Sequence, residues 1–108
     1  MTNLELSKAV AEAYKIPEYA YVVITNGVGD FTLNSTPLYQ DHGRLFELCV
    51  ENFITVTQNE YESVSCRNPD ESKYDSEEER FEDHTSELEA TCICILEALA
   101  RLKEIEYE

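Results

Sequence analysis

Apolar positions recur along the chain at two spacings, and the changes between them mark the elements. Leu6, Val10, Ala13 and Tyr14 repeat at helical spacing, with Glu5 and Glu12 on other faces. This predicts a helix over Asn3 to Lys15, with Asn3 as its cap and Pro17 as its stop. Tyr19 to Thr25 is rich in Tyr, Val and Ile and reads as a strand, its unbroken apolar run predicting burial on both faces. Asn26-Gly27 and Gly29-Asp30 form a turn toward a short second strand at Phe31 to Leu33, and Asn34 to Pro37 is a loop. Asp41 to Asn52 reads as a second helix with Leu45, Leu48, Cys49 and Asn52 on one side, its first turn weakened by Gly43 at a cost of about 1 kcal/mol relative to Ala. Phe53 to Thr57, a tight turn at Gln58-Asn59, and Glu60 to Cys66 complete a hairpin.

The pattern then changes character. Asn68-Pro69 breaks structure, and from Asp70 to Glu89 ten acids stand against two bases, Lys73 and Arg80. Part of this stretch reads as a mobile loop. Ser86 and Glu89 match a capping box. The helix that follows runs to about Glu106, with Leu88, Cys92, Ile95, Leu99 and Leu102 forming a stripe widened by Ile93, Leu96 and Ala100. These elements predict one α+β domain over residues 1–108. Three helices pack sandwich-like on a small, mostly antiparallel sheet of about four strands, with an acidic loop or insertion at about 67–85. The expected core is Leu6, Val10, Val22, Ile24, Leu45, Leu48, Ile54, Val56, Leu88, Ile95 and Leu99. The stripe from Leu88 to Leu102 is either consumed by this core or zips against a second copy, which makes a homodimer the expected assembly.

Charge adds what periodicity does not. The formal net charge is −15 over 108 residues, so the chain repels nucleic acid and anionic membrane surfaces and attracts basic ones. There is no apolar run of about 18 residues, so no membrane span is expected. The polar start from Met1 to Lys8 does not read as a signal peptide, so Cys49, Cys66, Cys92 and Cys94 are expected to be reduced thiols in a cytoplasm.

Candidate chemistry is sparse. Cys92 and Cys94 on one helix point about 200° apart, and structural zinc favours wider pairs, so both read as small buried hydrophobes. His84, among Glu82, Asp83 and Glu87, reads as a solvent-exposed group with a raised pKa. Gly27-Val28-Gly29 falls short of a phosphate-cradling loop, and Asp70, Asp75 and Glu77 to Glu79 do not follow the spacing of a calcium loop. No catalytic residue, cofactor or metal is assigned.

The acidic run is the strongest candidate for function. Spread over a partly helical segment of about 30 Å, its ten acids would space one charge per about 3 Å, near the spacing of phosphates along one DNA strand. Asp70, Glu71, Tyr74, Asp75, Glu77, Glu78, Glu79, Glu82 and Asp83 are the expected partner-binding residues, with Tyr74 and Phe81 as aromatic members of the stretch. A second candidate surface lies around Tyr19, Tyr21 and Tyr39.

Two stretches also resemble a known family. Leu6-Ser7-Lys8-Ala9-Val10-Ala11-Glu12-Ala13, then Phe31 through Asn34-Ser35, Leu48, Val50-Glu51-Asn52 and Ile54, are similar to segments of the phage ABA sandwich (NinX-like) family of small bacteriophage proteins. The apolar helix from Ala90 to Leu102 resembles that family's last helix. The resemblance implies a phage origin and an α/β sandwich, and brings no established catalytic residues. Charge and resemblance together lead to the expectation of a non-enzymatic phage accessory protein in the host cytoplasm. It would bind the basic surface of a host restriction, CRISPR or recombination enzyme by imitating DNA. The alternative is an ordinary interaction or assembly module whose acidic face only confers solubility.

Overall fold

In the computed structural model, residues 2–16, 37–67 and 77–107 are described. They form helices α1 (Asn3–Ala13), α2 (His42–Glu51) and α3 (Glu87–Leu102) and strands β1 (Thr55–Asn59), β2 (Ser63–Arg67) and β3 (Glu77–Arg80). Short 3-10 turns lie at Leu38–Gln40 and Phe81–Asp83. The sheet is antiparallel in the order β1-β2-β3. The α+β class thus matches the expectation, with three strands among the described residues. The strands expected at Tyr19 to Thr25 and Phe31 to Leu33 lie outside the described residues.

Helix α3 occupies the centre. Ala90, Cys92 to Leu96 and Ala98 to Ala100 are all buried, so the helix is apolar nearly all round and needs neighbours on every side. Helices α1 and α2 and strands β2 and β3 supply them. Helix α1 contributes Leu6, Val10 and Ala11, and Tyr14 at its end donates a 2.8 Å hydrogen bond to the Leu99 carbonyl. Helix α2 contributes Leu45, Leu48 and Cys49. The apolar stripe of α3 is therefore largely consumed within its own fold rather than left for a second copy. Leu88 is the exception: burial begins at Ala90, and Leu88 in the first turn is 52% exposed.

The helix starts follow local chemistry. Thr2, one residue before the expected cap, accepts from the Glu5 amide while Glu5 accepts from the Thr2 amide, closing a capping box. Asp41 caps α2 through the Arg44 amide. Ser86 caps α3 through the Glu89 amide, and the Glu89 carboxylate reaches back to the backbone and hydroxyl of Thr85.

The three helix ends share one device that composition hides. Each helix closes with a left-handed residue followed by isoleucine: Lys15-Ile16, Phe53-Ile54 and Glu104-Ile105. In each, the isoleucine amide bonds the carbonyl of Ala11, Cys49 or Ala100, five residues back, at 2.8 to 2.9 Å. These are Schellman closures, and the isoleucine folds back beside a small residue. The closure at Glu104 is why α3 stops at Leu102 instead of continuing to Glu106. Glycine is the usual residue at such positions, so its absence removed the signal from the sequence.

The hairpin lies two residues later than its expected turn. Asn59 ends β1 because its side-chain amide donates to the Ser63 and Ser65 hydroxyls at 3.0 and 2.8 Å, and Glu60, at φ 56°, makes the turn. In this register Val64 and Cys66 face α3 while Ser63 and Ser65 take the opposite face. Val56 shares the inner face with Cys66 but is 38% exposed, because α3 lies beneath β2 and β3 and β1 overhangs. Among the described residues no helix is long and apolar enough to cross a membrane.

The left-handed closures give a stability prediction. A non-glycine residue there costs about 1–2 kcal/mol, partly offset by the greater chain entropy that glycine brings to the unfolded state. Glu104→Gly is expected to raise stability by about 0.5–1 kcal/mol, read from the urea unfolding midpoint at unchanged slope. A lower midpoint would show that Glu104 is not strained.

Candidate functional site

The acidic run is not one loop. Its part from Glu77 to Arg80 is β3, pairing antiparallel with β2 from Cys66↔Glu77 to Ser63↔Arg80. Four charged residues form a strand because alternation sorts them between two environments. Glu77 and Glu79 turn inward toward α3, with side chains 16% and 21% exposed, while Glu78 and Arg80 turn out. Phe81 folds against the core, giving this aromatic residue a packing role. Of the acidic loop or insertion expected at about 67–85, residues 77–83 are this strand and the following 3-10 turn, and residues 68–76 lie outside the described residues. Asp70, Glu71, Tyr74 and Asp75 lie outside the described residues.

The inward glutamates find polar partners on α3 and beside it. Arg101 Nε stands 3.2 Å from Glu77 Oε1 as an ion pair, although that buried oxygen accepts no hydrogen bond. The Tyr107 hydroxyl also hydrogen-bonds Glu77, and burial first, then that carboxylate, pushes the phenol's pKa upward. His84 Nε2 lies 2.7 Å from Glu79 Oε1, and His84 Nδ1 lies 3.4 Å from Glu89 Oε1. The imidazole is only 10% exposed, so His84 is not the solvent-facing group that its acidic neighbours in sequence imply. Its partners come from β3 and α3 instead.

Glu97, on the α3 face toward β3, completes the cluster. Burial first, then a hydrogen bond with Glu79 and the negative charge of Glu79, raises its carboxyl pKa from 4.5 to about 10. These causes favour the protonated carboxyl of Glu97 over the ionised one. One of its oxygens is buried with no hydrogen-bond partner. Glu77 and Glu79, members of the expected partner-binding set, lie where β3 meets α3.

What remains outside gathers at one end of the sheet. The β1–β2 turn is Glu60-Tyr61-Glu62, with Tyr61 95% exposed at its apex and both glutamates exposed. The Phe81 amide donates to the Glu62 carbonyl at 2.9 Å, which places the Phe81–Asp83 turn beside this apex. Glu82 and Asp83 are exposed there, Glu82 carrying an Arg80 guanidinium at 3.1 Å. Glu78, on the outer face, accepts from the Ser63 hydroxyl at 2.7 Å. The result is an acidic tip built around one exposed tyrosine. Sequence reasoning missed Glu60, Tyr61 and Glu62 because they precede the acidic run and were assigned to a strand. The aromatic-acid alternation was the available signal.

Nucleophilic chemistry has little support in the thiols. All four cysteines are free and buried. Burial pushes the pKa of Cys49 and Cys92 upward, and contact with Cys66 followed by burial does so for Cys94. An activated thiol needs the opposite shift. Among the described residues no group of three His, Cys, Asp or Glu side chains is placed to hold a metal ion. An open depression of about 400 Å³ lies at the end of α3 beside Arg101, Ile105, Glu106 and Tyr107. Comparison with known families, curated proteins and solved structures finds no match.

The upward shift at Glu97 has a measurable consequence. Between pH 4.5 and about 10 the folded chain holds a proton that the unfolded chain has released, so stability falls as pH rises through this window. From pH 6 to 8, where exposed carboxylates are already ionised, the urea midpoint is expected to decline. Glu97→Gln, which keeps a donor toward Glu79 without titrating, is expected to flatten that decline. An equal slope in the variant would assign the effect to other groups.

Proposed function

We propose that this protein is a non-enzymatic binder of a basic protein surface, and that the acidic tip is the part that docks. The observation that carries this reading is Tyr61, 95% exposed between Glu60 and Glu62 and beside Glu82 and Asp83. Tyrosine supplies contact area at low entropic cost, and the surrounding carboxylates steer and orient a cationic partner. The net charge of −15 extends the same preference over the whole molecule.

The finer reading is that the partner's basic surface is one that normally holds nucleic acid. Glu78, Glu82 and Asp83, together with Glu60 and Glu62, then stand in for phosphates, and Asp70, Glu71, Tyr74 and Asp75 belong to the same expected set. The resemblance to phage ABA sandwich proteins supports a phage accessory protein acting in the host cytoplasm. Its target would be a restriction, CRISPR or recombination enzyme. An ordinary interaction module is the competing reading, favoured by the inward turn of Glu77 and Glu79, which thins the charged row.

Host lysate passed over the immobilised protein at low and at high salt separates the two. Under the mimicry reading, the proteins recovered at low salt are nucleic-acid-binding and are released by double-stranded DNA or by salt. Reversing Glu60, Glu62, Glu82 and Asp83 to Lys is expected to weaken capture tenfold or more, at about 1.4 kcal/mol per tenfold, with the unfolding midpoint nearly unchanged. Partners indifferent to both DNA and the reversals would contradict mimicry.

A further inference from the structure

Helix α2 carries two apolar stripes, and the core uses one. Leu45, Leu48 and Cys49 face inward. Rotated about 100° from them stand Phe46 and Val50, one turn apart, continued by Phe53 just past the helix end. Phe46 is 68% exposed, Val50 58% and Phe53 74%, so all three project from the fold. Phe53 also sits at φ 56°, a left-handed conformation that is costly for a bulky side chain. The closure of α2 needs that backbone angle but does not need an aromatic ring there.

Phe46 and Val50 stand at i and i+4, a spacing by which one helix anchors against another apolar surface, and the exposed Phe53 adds apolar area just past the helix end. The charge beside the stripe selects the occupant. Glu47 and Glu51 follow Phe46 and Val50 on the helix and are exposed, with Arg44 touching Glu47 at 3.5 Å. A second copy would bring the same glutamates, and a net charge of −15, against themselves. A cationic amphipathic helix meets both demands: apolar side chains cover the two rings and Val50, and Lys or Arg reaches Glu47 and Glu51.

We propose that the Phe46–Val50–Phe53 stripe is a docking surface for a cationic amphipathic helix of a partner protein. It is separate from the acidic tip and does not depend on it. Its apolar component makes the contact persist at salt concentrations that release a purely electrostatic complex.

The test is an NMR titration of the ¹⁵N-labelled full chain at about 0.15 M salt, near physiological ionic strength. The probe is a synthetic Leu/Lys amphipathic helix of about 18 residues, or five turns. A Ser/Lys peptide of equal length and charge is the control. The Leu/Lys peptide is expected to shift resonances of α2 and Phe53 and to bind at least tenfold more tightly than the control. Phe46→Gln with Phe53→Asn, which retains a residue tolerant of the left-handed angle, is expected to weaken binding by about tenfold or more without lowering the unfolding midpoint. Equal binding of the two peptides, shifts confined to the acidic tip, or no effect of the double variant would overturn the proposal. So would a dimer in sedimentation that the double variant dissociates, which would make the occupant a second copy. Nuclear Overhauser contacts from the Phe46 or Phe53 ring to residues 17–36 in the free protein would make the chain its own occupant, again overturning it.

Discussion

The structure depends on burying α3 on nearly all its sides. A helix that is apolar over Ala90, Cys92 to Leu96 and Ala98 to Ala100 cannot rest against a single partner. Helices α1 and α2 and the inner faces of β2 and β3 cover it, and the Tyr14 hydroxyl ties α1 to the Leu99 carbonyl. The three Schellman closures serve the same end. Each turns an isoleucine back beside its own helix, where it is wholly or partly buried.

The covering is imperfect on one side, and there the chemistry becomes unusual. Strand β3 faces α3 with glutamates where an apolar strand would be expected. Leaving two carboxylates unpaired beside an apolar helix would be costly. The fold places Arg101 against Glu77 and His84 against Glu79, and it pushes the Glu97 carboxyl pKa upward, toward the neutral form. A network of this kind is held by every member at once, since removing one partner leaves another buried and uncompensated. The acidic composition thus serves two separate purposes. Inward carboxylates join a strand to the central helix, and outward ones at Glu60, Glu62, Glu82 and Asp83 surround Tyr61.

Elements written in apolar periodicity were legible in the sequence. The inward stripes of α1 and α2 were read from Leu6 and Val10 and from Leu45 and Leu48, and Ile95 and Leu99 were correctly placed in the core. Strand β3 was not legible, because Glu-Glu-Glu-Arg has no apolar alternation; its period of two appears only once α3 supplies polar partners. The ends of α1 and α2 lie within two residues of the expected Lys15 and Asn52, whereas the end of α3, expected at about Glu106, was hidden because Glu104 occupies a position where glycine is the usual signal. His84 was misread because its sequence neighbours are not its spatial ones. The acidic tip was half legible: Glu82 and Asp83 were included, while Glu60, Tyr61 and Glu62 depended on locating the turn.

The division of the acidic residues into internal and external sets is tested most directly by carboxyl ¹³C NMR of the glutamates as a function of pH. The structure predicts that Glu97 remains protonated through neutral pH and titrates near 10. A Glu97 carboxyl that ionises near 4.5, like an exposed glutamate, would contradict the buried cluster and with it the inward orientation of β3.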